Sequence, residues 1–145
     1  MKKHELLDII PPDQLKAVFY SEWCDIDYEF MGFTETYKAL ASIIPRHFTV
    51  IDFGCAFAPQ SFYFKDHRRY IGVDVGSLDR FHAENTEHYQ CSIQEFICNS
   101  GMYKSPHPSE IFAICNYVPD DNAACLVRYT FPNVYTFYPS RGDDK

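Results

Sequence analysis

The chain has 145 residues, 46% of them hydrophobic and 23% charged, with a formal net charge of −7. That length suits one domain around a single core, and that composition excludes a chain disordered throughout. The acidic balance, 20 Asp and Glu against 13 Lys and Arg, disfavours a general nucleic-acid binder, because a phosphate backbone would be repelled.

In chain order, residues 1–45 read as an N-terminal helical segment. The opening MKKHELLDIIPP starts basic, but acidic residues interrupt it and no long apolar stretch follows, so no export signal is expected. No apolar run approaches the roughly 20 residues of a bilayer span. Pro11-Pro12 breaks the first piece, and Leu15, Val18 and Phe19 share one side of the next. From residue 25 to 44, Phe30, Phe33, Tyr37, Leu40 and Ile44 recur at steps of three and four, which is helical spacing; Gly32 interrupts the stretch and Pro45 ends it. Trp23, Tyr28, Phe30 and Tyr37 read either as core packing, the simpler account, or as an aromatic pocket.

Beyond residue 45 the pattern changes to short β-rich runs at 48–53, 70–75, 111–115 and 134–138, with a weaker one at 88–91. They are apolar almost throughout rather than alternating, as strands covered on both faces are. The gaps suit helices at 59–66, 78–86, 93–99 and 121–129. Strand and helix in alternation predict an α/β doubly wound, mostly parallel sheet. Lys65, His67, Arg68 and Arg69 form a compact basic cluster and read as a solvated helix end. The six cysteines show no C-x-x-C pair and the six histidines no H-E-x-x-H, so reduced thiols, a cytoplasmic setting and no metal site are expected.

In such sheets ligands sit beyond the carboxyl ends of the strands, where strand order reverses. The first run ends in Asp52-Phe53-Gly54-Cys55-Ala56-Phe57-Ala58-Pro59. Small residues there let the backbone turn and approach a ligand, and a helix opening at Pro59 would aim free N–H groups at it. The second run reaches Asp74, twenty residues after Gly54, where a carboxylate can accept both hydroxyls of a ribose. The pair predicts a nucleoside-type site. Gln60 stands where a dinucleotide fingerprint wants its third glycine, which disfavours NAD, and no P-loop motif exists.

The segment 50–59 followed by Tyr70-Ile-Gly-Val-Asp-Val75 resembles the class I S-adenosylmethionine-dependent methyltransferases, whose first motif is acidic-x-G-x-G-x-G after a strand and whose second strand ends in an acidic residue. Ala56 and Ala58 replace two of those glycines. The resemblance spans about residues 35–140 and implies a Rossmann-like methyltransferase fold of five strands with N-terminal helices, residues 46–145 forming the cofactor-binding core. The sequence stops soon after its fifth strand, so that fold is expected to lack the family's C-terminal hairpin. The run 134–138 is then an apolar edge, and a homodimer through it is expected unless the N-terminal helices or the tail cover it.

For S-adenosylmethionine as cofactor, the resemblance implies that Asp52 orients the methionine end and that Gly54, Cys55 and Ala56 pass beneath it. Asp74 would hold the ribose and Val75 pack on adenine. Cys91, Ser92 and Ile93 would border the adenine edge, and Asn116 and Tyr117 lie nearest the sulfonium. The implied function is methyl transfer to an unidentified acceptor, a small molecule or protein rather than nucleic acid, with no membrane partner. The other readings are an inactive nucleoside-binding or interaction module with the same fold, and a nucleotide-binding domain unrelated to this family. No catalytic acid–base pair stands out.

Overall fold

A computed structural model describes residues 34–55, 58–75, 83, 85–99, 101, 103, 107–116 and 121–137. The expected helices before residue 34 and most of the one at 78–86 lie outside these residues. The elements are α1 (Thr34–Ile43), β1 (Thr49–Phe53), a 3-10 helix (Pro59–Phe64), β2 (Arg69–Asp74), β3 (Glu87–Gln90), α2 (Ile93–Cys98), a short 3-10 turn (Pro108–Glu110), β4 (Ile111–Asn116), α3 (Asp121–Thr130) and β5 (Asn133–Phe137).

The strands form one sheet in the order β3-β2-β1-β4-β5, and every pairing is parallel. This is the Rossmann-like α/β arrangement. The chain runs outward from the central β1 through β2 to β3, then returns to the other side of β1 to lay down β4 and β5. The order therefore reverses between β1 and β4, and the cleft that such a reversal opens lies at the carboxyl ends of those strands.

The period of two along each strand divides the core into two layers. Ile51 and Phe53 of β1, Ile71 and Val73 of β2, and Ile111, Ala113 and Cys115 of β4 pack with Phe96 of α2 and with Ala123, Val127 and Phe131 in and just after α3. Phe96 centres this layer. Its ring meets Phe53 edge-on at 5.7 Å, stacks on Tyr103 at 5.1 Å and tilts against Tyr89 at 5.8 Å. On the opposite face, Tyr70 of β2 stacks on Phe64 at 5.4 Å, and Phe64 meets Tyr37 of α1 at 6.2 Å. Among the described residues, aromatic rings thus form a layer on each face of the sheet. Each fully buried ring stabilises the fold by about 1.5–3 kcal/mol.

Helix α1 follows its predicted spacing: Tyr37, Leu40 and Ile44 are buried, and Pro45 stops it after the Ile44 N–H has bonded the Leu40 carbonyl. Tyr37 is core, as the simpler account of it held. The segment after β1 differs from expectation, being a six-residue 3-10 helix rather than an α-helix. Its conformation is set by tertiary bonds. The Gln60 amide is tied to β1 and the turn before it, and Ser61 Oγ accepts the Ala83 N–H at 2.7 Å. A helix this short has little dipole to offer an anion, so the sequence argument from its N-terminus does not hold.

The third strand is placed one residue earlier than expected, and a bidentate pair holds it. Arg69 Nε and Nη2 donate to the two Glu87 oxygens, each at 2.7 Å. Arg69 is therefore part of a strand and not of a helix end. At the opposite margin, β5 has β4 as its one strand neighbour among the described residues, and Tyr138 falls outside them.

Candidate functional site

The backbone at the end of β1 turns sharply. Gly54 has a φ of 81°, in the left-handed region that a side chain resists. Its N–H bonds the Val73 carbonyl at 2.8 Å, and the Cys55 N–H reaches the same oxygen at 3.3 Å. Phe53 is in register with Val73 on one side and with Cys115 on the other. Gly54 is therefore flanked by Asp74 at the end of β2 and Asn116 at the end of β4. Asp74 is in register with Gln90, and its carbonyl accepts the Cys91 N–H at 3.0 Å. So Gly54, Asp74, Val75, Cys91 and Asn116 fall at one edge of the sheet.

Side chains along that edge differ in what they can offer. Asp74 is half-buried, and Val75 beside it is 72% exposed, an apolar side chain left bare. The Val75 carbonyl is held by Gln90 Nε2 at 3.3 Å. Ser92 is occupied structurally. It caps α2, its Oγ accepting the Glu95 N–H at 3.1 Å while Glu95 Oε1 accepts the Ser92 N–H at 3.2 Å. Ile93 packs against the aromatic layer of Phe96. Burial, together with nearby Glu95, raises the Cys91 thiol above its ordinary pKa. Ala56 and Tyr117 lie outside the described residues.

Asp52 and Cys55 turn away from the edge into the α1 face. Asp52 is fully buried in mid-sheet, and three donors meet its carboxylate. Tyr37 OH donates to Oδ1 at 2.7 Å, Gln60 Nε2 donates to Oδ2 at 2.8 Å, and Tyr70 OH donates to Oδ2 as well. Loss of solvent outweighs these bonds and, with a smaller push from Asp74, lifts the Asp52 pKa to about 6. Burial first, and then the charge of Asp52, drives the Tyr70 phenol well above its usual value.

Cys55 lies over Gly72 of β2. A Cβ on Gly72 would stand 2.8 Å from Cys55 Sγ and 2.8 Å from His88 Nδ1, so only glycine leaves room for both. Burial, then Asp52 and Asp74, pushes the thiol well up, which makes it a packed, protonated group rather than a nucleophile. His88 is held from the other side, its Nε2 lying 2.9 Å from Thr86 Oγ1, and its ring is 5.8 Å from that of Tyr70. No family model matches the chain, and no curated protein matches it.

Sequence reasoning missed the buried constellation of Tyr37, Gln60 and Tyr70 around Asp52. The available signal was a lone carboxylate inside an apolar run. Such a group must gather donors, and tyrosines and a glutamine on the neighbouring elements are the suppliers. Two members of the basic cluster are ion-paired, Arg68 with Glu110 at 3.0 Å and Arg69 with Glu87, while His67 Nε2 lies 3.0 Å from the Ile44 carbonyl. Among the described residues no group of three His, Cys, Asp or Glu converges as a metal site would need, and no helix is long and apolar enough to cross a membrane.

Proposed function

We propose that the carboxyl edge of the sheet binds S-adenosylmethionine and that the domain transfers its methyl group to a small-molecule or protein acceptor. The observation that carries this reading is the pairing of half-buried Asp74 with bare Val75, next to the positive-φ turn at Gly54. A carboxylate beside an exposed aliphatic side chain suits a ribose diol joined to a flat base: the hydroxyls donate to Asp74 and the base covers Val75. Gly54 allows close backbone approach, and Cys91 borders the base. Asn116, across from Gly54, and Tyr117 after it are assigned to the reacting end. The cofactor supplies a methyl group carried on a cationic sulfonium. The protein's part is to bind it and to align the acceptor, which provides much of the rate in such displacements. The ion-paired arginines argue against a nucleic-acid acceptor. A reducing, cytoplasmic setting fits Cys55, Cys91, Cys98, Cys115 and Cys125, none of which is in a disulfide.

A second reading, a nucleoside-binding module without turnover, is favoured by Asp52, whose carboxylate is wholly engaged by Tyr37, Gln60 and Tyr70 and has nothing left to orient a ligand. Titration calorimetry with S-adenosylmethionine and S-adenosylhomocysteine tests both. Binding of either compound is expected, weakened at least tenfold by Asp74→Ala, since each charge-assisted bond is worth roughly 1.5–3 kcal/mol. Absence of heat with both compounds ends the proposal. Binding without passage of radiolabelled methyl to any acceptor in a broad screen selects the second reading.

A further inference from the structure

Strands β2 and β3 set two polar side chains next to each other at the carboxyl edge. In their register Gly72 pairs with His88 and Asp74 with Gln90. A Cβ on Gly72 would stand 2.8 Å from His88 Nδ1, so these two positions share the α1 face. Two residues further on, Asp74 and Gln90 share that face as well, their backbones about 4.8 Å apart across the strands. Both ends of β3 are fixed against β2. The Arg69–Glu87 fork holds the start, and the Cys91 N–H bonds the Asp74 carbonyl just past the end.

One bond orients the Gln90 amide. Its Nε2 donates to the Val75 carbonyl at 3.3 Å. An amide nitrogen carries two hydrogens, so a second N–H remains. The backbone N–H groups that follow, those of Cys91 and Ser92, are taken by the Asp74 carbonyl and by Glu95 Oε1. Gln90 is exposed, which leaves its second N–H within reach of a ligand.

A carboxylate beside an amide complements a vicinal diol better than a carboxylate alone. Asp74 can accept a hydrogen bond from each hydroxyl, but an ionised carboxylate has no hydrogen to give back. Each hydroxyl oxygen keeps a lone pair that a donor can fill, and the Gln90 N–H is such a donor. Position decides which hydroxyl it meets. Gln90 stands on the Val75 and Cys91 side of Asp74, where the base is assigned. In a ribose the 2′-hydroxyl is the one next to the carbon that bears the base.

We propose that Gln90 is a second sugar-binding residue, donating to the 2′-oxygen while Asp74 accepts from the diol, and that the pair makes this edge selective for ribonucleosides over 2′-deoxyribonucleosides. This role rests on the reading of the edge as a nucleoside site and adds to it a residue and a selectivity.

The test is titration calorimetry on the full chain with S-adenosylhomocysteine and its 2′-deoxy analogue, for the wild type and for Gln90→Met. Methionine keeps the length of the side chain and removes the amide. The wild type is expected to prefer the ribose compound about tenfold or more, since the missing hydroxyl loses its bonds to both residues. Gln90→Met is expected to weaken the ribose compound about fivefold, the worth of one hydrogen bond, and to leave the 2′-deoxy analogue unchanged. Equal weakening of both compounds means that Gln90 acts only through the Val75 carbonyl, and overturns the proposal. So does a preference that the substitution leaves intact, or a wild type that binds both compounds alike. In each of those cases S-adenosylhomocysteine still binds, and the nucleoside reading stands. A wild type that binds neither compound overturns that reading and the role of Gln90 with it.

Discussion

At the scale of single residues, burial of the Asp52 carboxyl makes stability depend on pH. An unfolded chain holds this carboxyl near its ordinary pKa of 3.8, whereas the fold raises it to about 6. Between those values the folded state binds more protons than the unfolded one. Stability therefore falls as pH rises through the window from about 4 to about 6, then levels off, a change of about 3 kcal/mol from this group. Urea unfolding of the wild type and of Asp52→Asn at about pH 4 and about pH 7 is expected to show that slope in the first and its loss in the second. Equal slopes would show that Asp52 keeps an ordinary pKa. Gly72 makes a separate point. Gly72→Ala places a methyl group within 2.8 Å of both Cys55 Sγ and His88 Nδ1, with an expected loss of about 1–3 kcal/mol in the same measurement.

At the scale of elements, helix α2 and strand β3 are short and depend on their ends. Six residues cannot sustain an isolated helix, so α2 relies on the burial of Phe96 and on the Ser92–Glu95 capping box. Ser92→Ala is expected to cost about 1 kcal/mol in thermal or urea unfolding. The same residue had been assigned to the adenine edge by resemblance, and its hydroxyl is spent on the cap. Calorimetry with S-adenosylhomocysteine on Ser92→Ala separates the two roles, since a purely structural Ser92 leaves affinity unchanged. Strand β3 is fastened to β2 by the Arg69–Glu87 fork. Arg69 lowers the Glu87 pKa, so the help from this pair is present above about pH 4.5 and is lost as pH falls through the lower folded value. The pair is partly open to water, and Glu87→Gln is expected to cost no more than about 1 kcal/mol near neutral pH, as a melting curve would show.

At the scale of the whole molecule, strand order decides where a ligand can sit, and the described margin at β5 bears on association. The strand NVYTF is uncharged and Tyr135 is 44% exposed, so self-pairing there meets no charge repulsion despite the acidic chain. A homodimer through this edge is expected to appear in light scattering as concentration rises; a strict monomer at high concentration removes it. Much of this architecture was legible in the sequence. Runs apolar on both faces, separated by helix-length gaps, specify buried parallel strands because that pattern has few other ways to hide its surface. Gly54 and Asp74 were placed at one edge by spacing alone, since strand ends follow from local punctuation. What folding alone decided was direction and engagement: that Asp52 faces inward to two phenols and an amide, and that residues 59–64, tied in through Gln60, wind as a 3-10 helix. These depend on partners 8 to 18 residues away along the chain meeting across the α1 face. Local propensity does not encode such meetings, because they exist only once the sheet and α1 have packed together.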